Sequence, residues 1–237
     1  METVNGEYCT NLVEPMIQLL RTALKGSESQ DKFLFASENA LPVKPFGYTY
    51  RTLLARQSSD LCLMPPEQWH IVDWKIHVKA AQWITLQQRD GERAVEVWDA
   101  QGLGDPDSDG CKDEWWFTAA LLGYPEVRAV GARSDFYSSL HEQARCNTFA
   151  IWFRQEELLP PDTPQVQLMS SLDAMSQPSP TLSELDTHAR FFRRLSSQGI
   201  RALRNSTFLF ARKFTQGPQL VDGSSTFAEA FSRIVFS

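Results

Sequence analysis

Two places in the chain combine residue types suited to acid–base and anion chemistry. The first is Asp113-Glu114-Trp115-Trp116, within the run GCKDEWWFTAALLGYP. A carboxylate set before an apolar helix is pulled two ways. Desolvation by the two indoles favours its neutral form, the positive helix end favours its charged form, and spacing does not decide between them. With Asp113 as helix cap, Glu114 stands in the first turn, where it suits general-base work on a hydroxyl group. The competing reading is that both acids only cap a helix. The second place is Arg212-Lys213, after the apolar strand Phe208-Leu209-Phe210. Adjacent cations at a strand exit can neutralise a phosphate or diphosphate, Arg with paired donors and Lys as a point charge. Solvated surface charges are the simpler account. Trp83, Trp152 and the Trp115-Trp116 pair offer flat faces for a sugar or base to stack on, or else fill the core.

Other constellations carry less. Asp105, Asp107, Asp109 and Gly110 match the opening of a calcium loop. The twelfth position is Trp116, where a bidentate Glu is required, so a solvated acidic turn is expected. These aspartates also follow no hydrophobic strand, as a DxD metal motif would. Around His70, His77, His141 and His188 there is no GxSxG elbow, and no GxxxxGK[ST] or GxGxxG phosphate loop occurs. Arg190, Arg193, Arg194, Arg201 and Arg204 form either one wet helix face or a source of charge toward an anionic donor.

These groups need a scaffold, and the composition supplies one. The chain has 237 residues, 42% hydrophobic and 22% charged, which is enough apolar content for a packed core and excludes disorder as the dominant state. A net charge of -6 argues against a nucleic-acid polymer as partner. No apolar run is long enough to span a membrane, and METVNGEYCTNLVEP has neither the basic start nor the apolar core of a signal peptide. Cys9, Cys62, Cys111 and Cys146 form no close pair, so a zinc site is not expected. Their even number permits two disulfides, while four free buried thiols is the simpler reading. Asn205-Ser206-Thr207 is the sequon of a secretory-pathway protein, though such tripeptides also arise by chance.

Periodicity predicts a helix over Leu12–Leu24 with Leu12, Met16, Leu19, Leu20 and Ala23 inward, Pro15 in its first turn and Gly26 as its stop. Phe33–Ala36 reads as a strand whose exit loop is Ser37-Glu38-Asn39, the kind of position where ligands bind in open α/β sheets. Helices are predicted from about Pro45 to Arg56, over Glu92–Trp98 and over Asp113–Leu122, this last one buried on almost every side. Strands are predicted at Gln82–Leu86 and Thr148–Phe153. Residues 155–180, rich in Pro and Ser, read as a long mobile loop. Thr181-Leu182-Ser183-Glu184 has the form of a capping box before a helix burying Leu185, Ala189, Phe192 and Leu195. The alternation of elements predicts an α/β class, and 1–237 is read as a single domain.

Taken in order, five segments resemble the core-2/I-branching enzymes, glycosyltransferase family 14, and its plant-type branch in particular. DKFLFASENALPV resembles the family's strand followed by a Ser-Glu loop and Pro, and HVKAAQWITL its Lys-Gly-Ser-Gln-Trp segment. GCKDEWWFTAALL resembles its Cys, Asp-Glu and aromatic helix, FAIWFR its aromatic strand, and FLFARKF its terminal segment. The family's Gly-Ser is here Ala80-Ala81, and Cys111-Lys112-Asp113-Glu114 is one residue shorter than the usual Cys-x-Pro-Asp-Glu.

The resemblance implies a GT-A-like fold lacking part of its N-terminal nucleotide-binding half. It implies metal-independent, inverting transfer of a GlcNAc- or xylose-type sugar from a UDP-sugar to a glycan or glycoprotein hydroxyl. By position, Glu114 is then the base, Lys213 with Arg212 holds the diphosphate, and Trp152, Glu38 and Trp83 bind the acceptor. No cofactor is expected, and the UDP-sugar is a substrate. The implied location is the Golgi lumen or membrane, reached through an anchor with no counterpart here. The alternative is a truncated, inactive homologue that binds glycans or proteins.

Overall fold

The structure, a computed structural model, describes residues 11–64, 66–102, 111–125, 136, 139–140, 144–150, 192–223 and 225–237. The 155–180 loop, the acidic turn at 105–110, residues 151–153 of the aromatic strand and the capping box at 181–184 lie outside the described residues.

Among the described residues the chain is mixed α/β. Its helices are α1 (Val13–Leu24), α2 (Phe46–Leu54), α3 (Gln88–Gln101), α4 (Trp116–Leu122), α5 (Ser197–Asn205) and α6 (Phe227–Phe236). Its strands are β1 (Lys32–Leu34), β2 (Leu41–Pro42), β3 (His70–Val72), β4 (Lys75–His77), β5 (Thr85–Gln87), β6 (Thr148–Ala150), β7 (Phe192–Leu195), β8 (Phe210–Arg212) and β9 (Phe214–Leu220). Where the sequence reads as a single domain, the contacts group into two compact units. One joins Met1–Phe35 with Leu53–Cys146, the other Ala36–Thr52 with Asn147–Ser237.

In the first unit, α1 buries Val13, Met16, Ile17 and Leu20. Leu19 and Ala23, expected inward, face solvent, because the helix is rotated so that the β-branched Val13 and Ile17 enter the core. α1 packs on α3 at Gly91, where an added Cβ would lie 3.3 Å from Leu20 Cδ1, so the missing side chain permits the close approach. β1 pairs antiparallel with β5, and β3 with β4 in a hairpin. The core gathers Leu61, Trp69, Ile76, Ile84, Leu86 and Phe117 around α1.

In the second unit, β8 is the centre of a mixed sheet, antiparallel to β2 and parallel to β6. Three segments of the resemblance therefore meet in one sheet. Beside it β7 and β9 run parallel. The core is a chain of phenylalanines, with ring centroids 5.1 Å apart for Phe149 and Phe208, 4.9 Å for Phe192 and Phe214, and 5.4 Å for Phe227 and Phe231. A complete capping box does occur, at Thr226 and Glu229 on α6.

The expected helix through Phe192 and Leu195 is corrected: these residues form β7. Both are buried and Arg193 and Arg194 between them are exposed, and pairing with β9 supplies the backbone partners a helix would have supplied internally. The expected helix at Asp113–Leu122 is also altered. Lys112–Glu114 is a 3-10 turn and α4 begins only at Trp116, with Trp116, Phe117 and Thr118 its buried residues.

Candidate functional site

The 3-10 turn sets Asp113 and Glu114 in different surroundings. Asp113 is buried, and its Oδ1 has no hydrogen-bond partner among the described residues. Burial pushes its carboxyl from 3.8 up to about 6, an effect strengthened by the neighbouring Glu114 charge and opposed by its own backbone N–H and by Lys79. Asp113 does not cap α4, whose N-cap position is Trp115 with no side-chain cap.

Glu114 is mostly buried and meets the Lys79 ammonium, Nζ to Oε2 being 2.9 Å. The same ammonium lies 5.6 Å from the Trp115 ring centroid, within cation–π range. The backbones are tied as well. Ala80 N–H donates to the Glu114 carbonyl at 2.9 Å, and the buried Thr118 hydroxyl donates to the Val78 carbonyl at 2.6 Å. Residues 78–80 and the Asp-Glu turn are thus one construction. Sequence reasoning quoted both segments but assigned Lys79 no role, since nothing local links it to a carboxylate so far along the chain.

The two indoles part company. Trp116 is core, its Nε1 donating to the Gly102 carbonyl at 3.0 Å and its ring 5.6 Å from Trp98. Trp115 is half-buried and contacts His70, ring centroids 4.7 Å apart. His70 is directly opposite His77 in the β3–β4 hairpin, and His77 contacts Tyr124 at 4.6 Å. Burial, together with the nearby His70 and Lys75, holds the His77 imidazole below its usual range. This aromatic strip beside Glu114 was not foreseen. These contacts come from the β3–β4 pairing and from Trp115 and Tyr124, which lie in other segments of the chain.

Trp83 is buried against Cys62 and Ala81, with Met64 and Cys146 also in contact. Cys62 and Cys146 form a disulfide, and Cys111 is disulfide-bonded too, so the reading of four free thiols is overturned. Spacing could not reveal this, because the bridged cysteines are 84 residues apart and only folding brings their Cα atoms to 4.2 Å.

In the second unit, Arg212 is the last residue of β8 and is buried, not solvated. It pairs in register with Ala150 of β6. Lys213 follows it, half-buried, and Phe214 N–H donates to the Asn39 carbonyl at 2.9 Å, which holds the Ser37-Glu38-Asn39 loop beside the cation pair. Burial and the Arg212 charge lower the Lys213 pKa, and Glu38, itself exposed, raises it. The structure thus associates Glu38 with Lys213 through their charges. Trp152, expected at the acceptor, lies outside the described residues, as do Asp105, Asp107 and Asp109. Among the described residues no group of three or more His, Cys, Asp or Glu side chains could hold a metal ion. Of the arginine cluster, Arg193 and Arg194 are exposed on β7, while Arg204 on α5 donates to the Ser237 carbonyl at 3.0 Å, so these residues do not share one helix face.

Chemically, the first unit offers a carboxylate with a cation and an aromatic surface alongside, and the second offers adjacent cations at the end of β8. No known family matches the sequence, and no curated protein does.

Proposed function

We propose that the chain is an inverting glycosyltransferase with a GT-A-like fold that moves a GlcNAc- or xylose-type sugar from a UDP-sugar to a glycan or glycoprotein hydroxyl. The observation that carries this reading is the Lys79–Glu114 pair beside Trp115. It joins two of the five segments on which the family resemblance rests and gives the carboxylate named as base an aromatic neighbour suited to a sugar face.

Glu114 takes the proton of the acceptor hydroxyl. The acceptor oxygen bonds to the anomeric carbon as the bond from that carbon to the UDP diphosphate breaks. Lys79 keeps Glu114 oriented. Lys213 and Arg212 stabilise the departing diphosphate, since two adjacent cations repel each other and an anion relieves that repulsion. Glu38 and Trp152 remain the residues assigned to the acceptor, while Trp83, buried against Cys62 and Ala81, offers it no open face. The family resemblance assigns no metal ion, and the Golgi lumen or membrane is the location it suggests.

The test is incubation of the chain with UDP-GlcNAc or UDP-xylose and a panel of oligosaccharide acceptors, with UDP release and product mass as readouts. Transfer that falls about 10²–10⁴-fold in Glu114→Gln supports the assignment. Transfer within a few-fold of the parent removes Glu114 as base. Glycan binding without any transfer favours the inactive binding module instead.

A further inference from the structure

The sequon Asn205-Ser206-Thr207 ends α5, and the glycosyltransferase reading makes no use of it. Within it, Asn205 and Thr207 are exposed. The helix buries Gly199, Ile200 and Leu203, and Asn205 lies on the opposite side from Leu203 by the 100° step of a helix. Backbone groups around the sequon are satisfied without the asparagine. Ser206 N–H donates to the Ala202 and Leu203 carbonyls, the Ser206 hydroxyl donates to the Leu203 carbonyl, and the buried Lys44 ammonium bonds the Arg204 and Ser206 carbonyls. No hydrogen bond of the Asn205 side chain occurs among the described residues, so a bulky substituent there displaces nothing on which α5 depends.

A second, independent observation concerns the compartment. Cys62 is buried in the core and bridged to Cys146, Cys111 is also disulfide-bonded, and no cysteine among the described residues is free. Buried bridges between residues so distant in sequence belong to chains that fold in an oxidising compartment, where sequons are also read.

We infer that Asn205 is an N-glycosylation site and that the chain folds in the lumen of the secretory pathway. The Asn205 amide nitrogen bonds to the anomeric carbon of an oligosaccharide carried on a lipid diphosphate. The bond from that carbon to the diphosphate breaks, and the amide proton leaves to the transferring enzyme or the released diphosphate. Because Asn205-Ser206-Thr207 is the single N-x-S/T tripeptide in the chain, one glycan is added. This inference does not depend on the proposed transferase activity.

The experiment is translation of the whole chain, fused to a secretory leader, in the presence of microsomes, read on reducing and non-reducing gels and by peptide mass. The expected product carries one glycan, removable by peptide N-glycosidase, on an oxidised chain that resists protease. Asn205→Gln and Thr207→Ala abolish the mass step, and Thr207→Ser retains it. A translocated, oxidised chain without a glycan overturns the inference. So does a glycan that persists in Asn205→Gln, or a glycosylated chain unable to close Cys62–Cys146. If translocated Asn205→Gln fails to fold, Thr207→Ala still decides the site.

Discussion

Lys79 Nζ lies 2.9 Å from Glu114 Oε2, and this contact joins two segments that the sequence keeps far apart. The side chains are 27% and 17% exposed, so water screens the pair only in part. It is therefore worth more than a surface ion pair, while the desolvation of both groups keeps its net value modest. A double-mutant cycle with Lys79→Met and Glu114→Gln should give a coupling energy of about 0.5–1.5 kcal/mol in urea unfolding. Strictly additive effects would show that the two side chains do not interact in solution.

Asp113 gives a pH-dependent prediction. Its carboxyl is raised from 3.8 to about 6, so between those values the folded state keeps a proton that the unfolded chain has lost. Stability accordingly falls as pH rises through that window, with the cost absent below about pH 4 and complete above about pH 6. At about 1.4 kcal/mol per pH unit, the cost approaches 3 kcal/mol. Asp113→Asn should be more stable than the parent by about 1–3 kcal/mol at pH 7.5 and nearly equal to it at pH 4. Denaturant melts at both pH values measure this. A variant less stable than its parent at pH 7.5 would show that the ionised carboxylate is stabilised in the fold.

The Cys62–Cys146 bridge closes a long loop, since 84 residues separate its ends. By loop-closure entropy, replacing both cysteines with serine should cost about 4–5 kcal/mol, chiefly by releasing the unfolded chain. Thermal unfolding of the double variant, compared with the parent under oxidising conditions, checks this. A change below about 1 kcal/mol would mean that the bridge contributes little to stability.

Lys213 and Arg212 are the groups proposed to hold a diphosphate. Losing one charge-assisted contact costs about 1.5–3 kcal/mol, so Lys213→Ala should weaken UDP binding roughly 10- to 150-fold in calorimetry. Unchanged affinity would remove Lys213 from the site. In the same assay, UDP affinity and transfer should both survive EDTA, and their loss would require a metal ion in the mechanism.

Elements with strong local signals were legible in the sequence. α1, α2, α3 and the Ser37-Glu38-Asn39 turn fall where pattern placed them, within a few residues at their ends. The inward face of α1 was not, because Leu19 and Ile17 are equally apolar and only the position of α3 selects between them. Phe192–Leu195 fits helical spacing as well as strand spacing over so few residues, and β9 decides the matter by pairing. Arg212 looked like surface charge because its burial depends on β8 being the central strand of the folded sheet, between β2 and β6, which no local pattern records.

By itself, the sequence determined the mixed α/β class, the apolar content for a packed core, and the carboxylates and cations available for chemistry. Those follow from residue type and local periodicity, which the backbone geometry of helix and strand expresses within a few residues. Only the tertiary structure decided which acid is buried, which lysine meets Glu114, which tryptophan stays partly open and which cysteines are bridged. Each of these depends on surfaces brought together from distant segments, where burial and charge belong to the packed arrangement and not to any one stretch of chain.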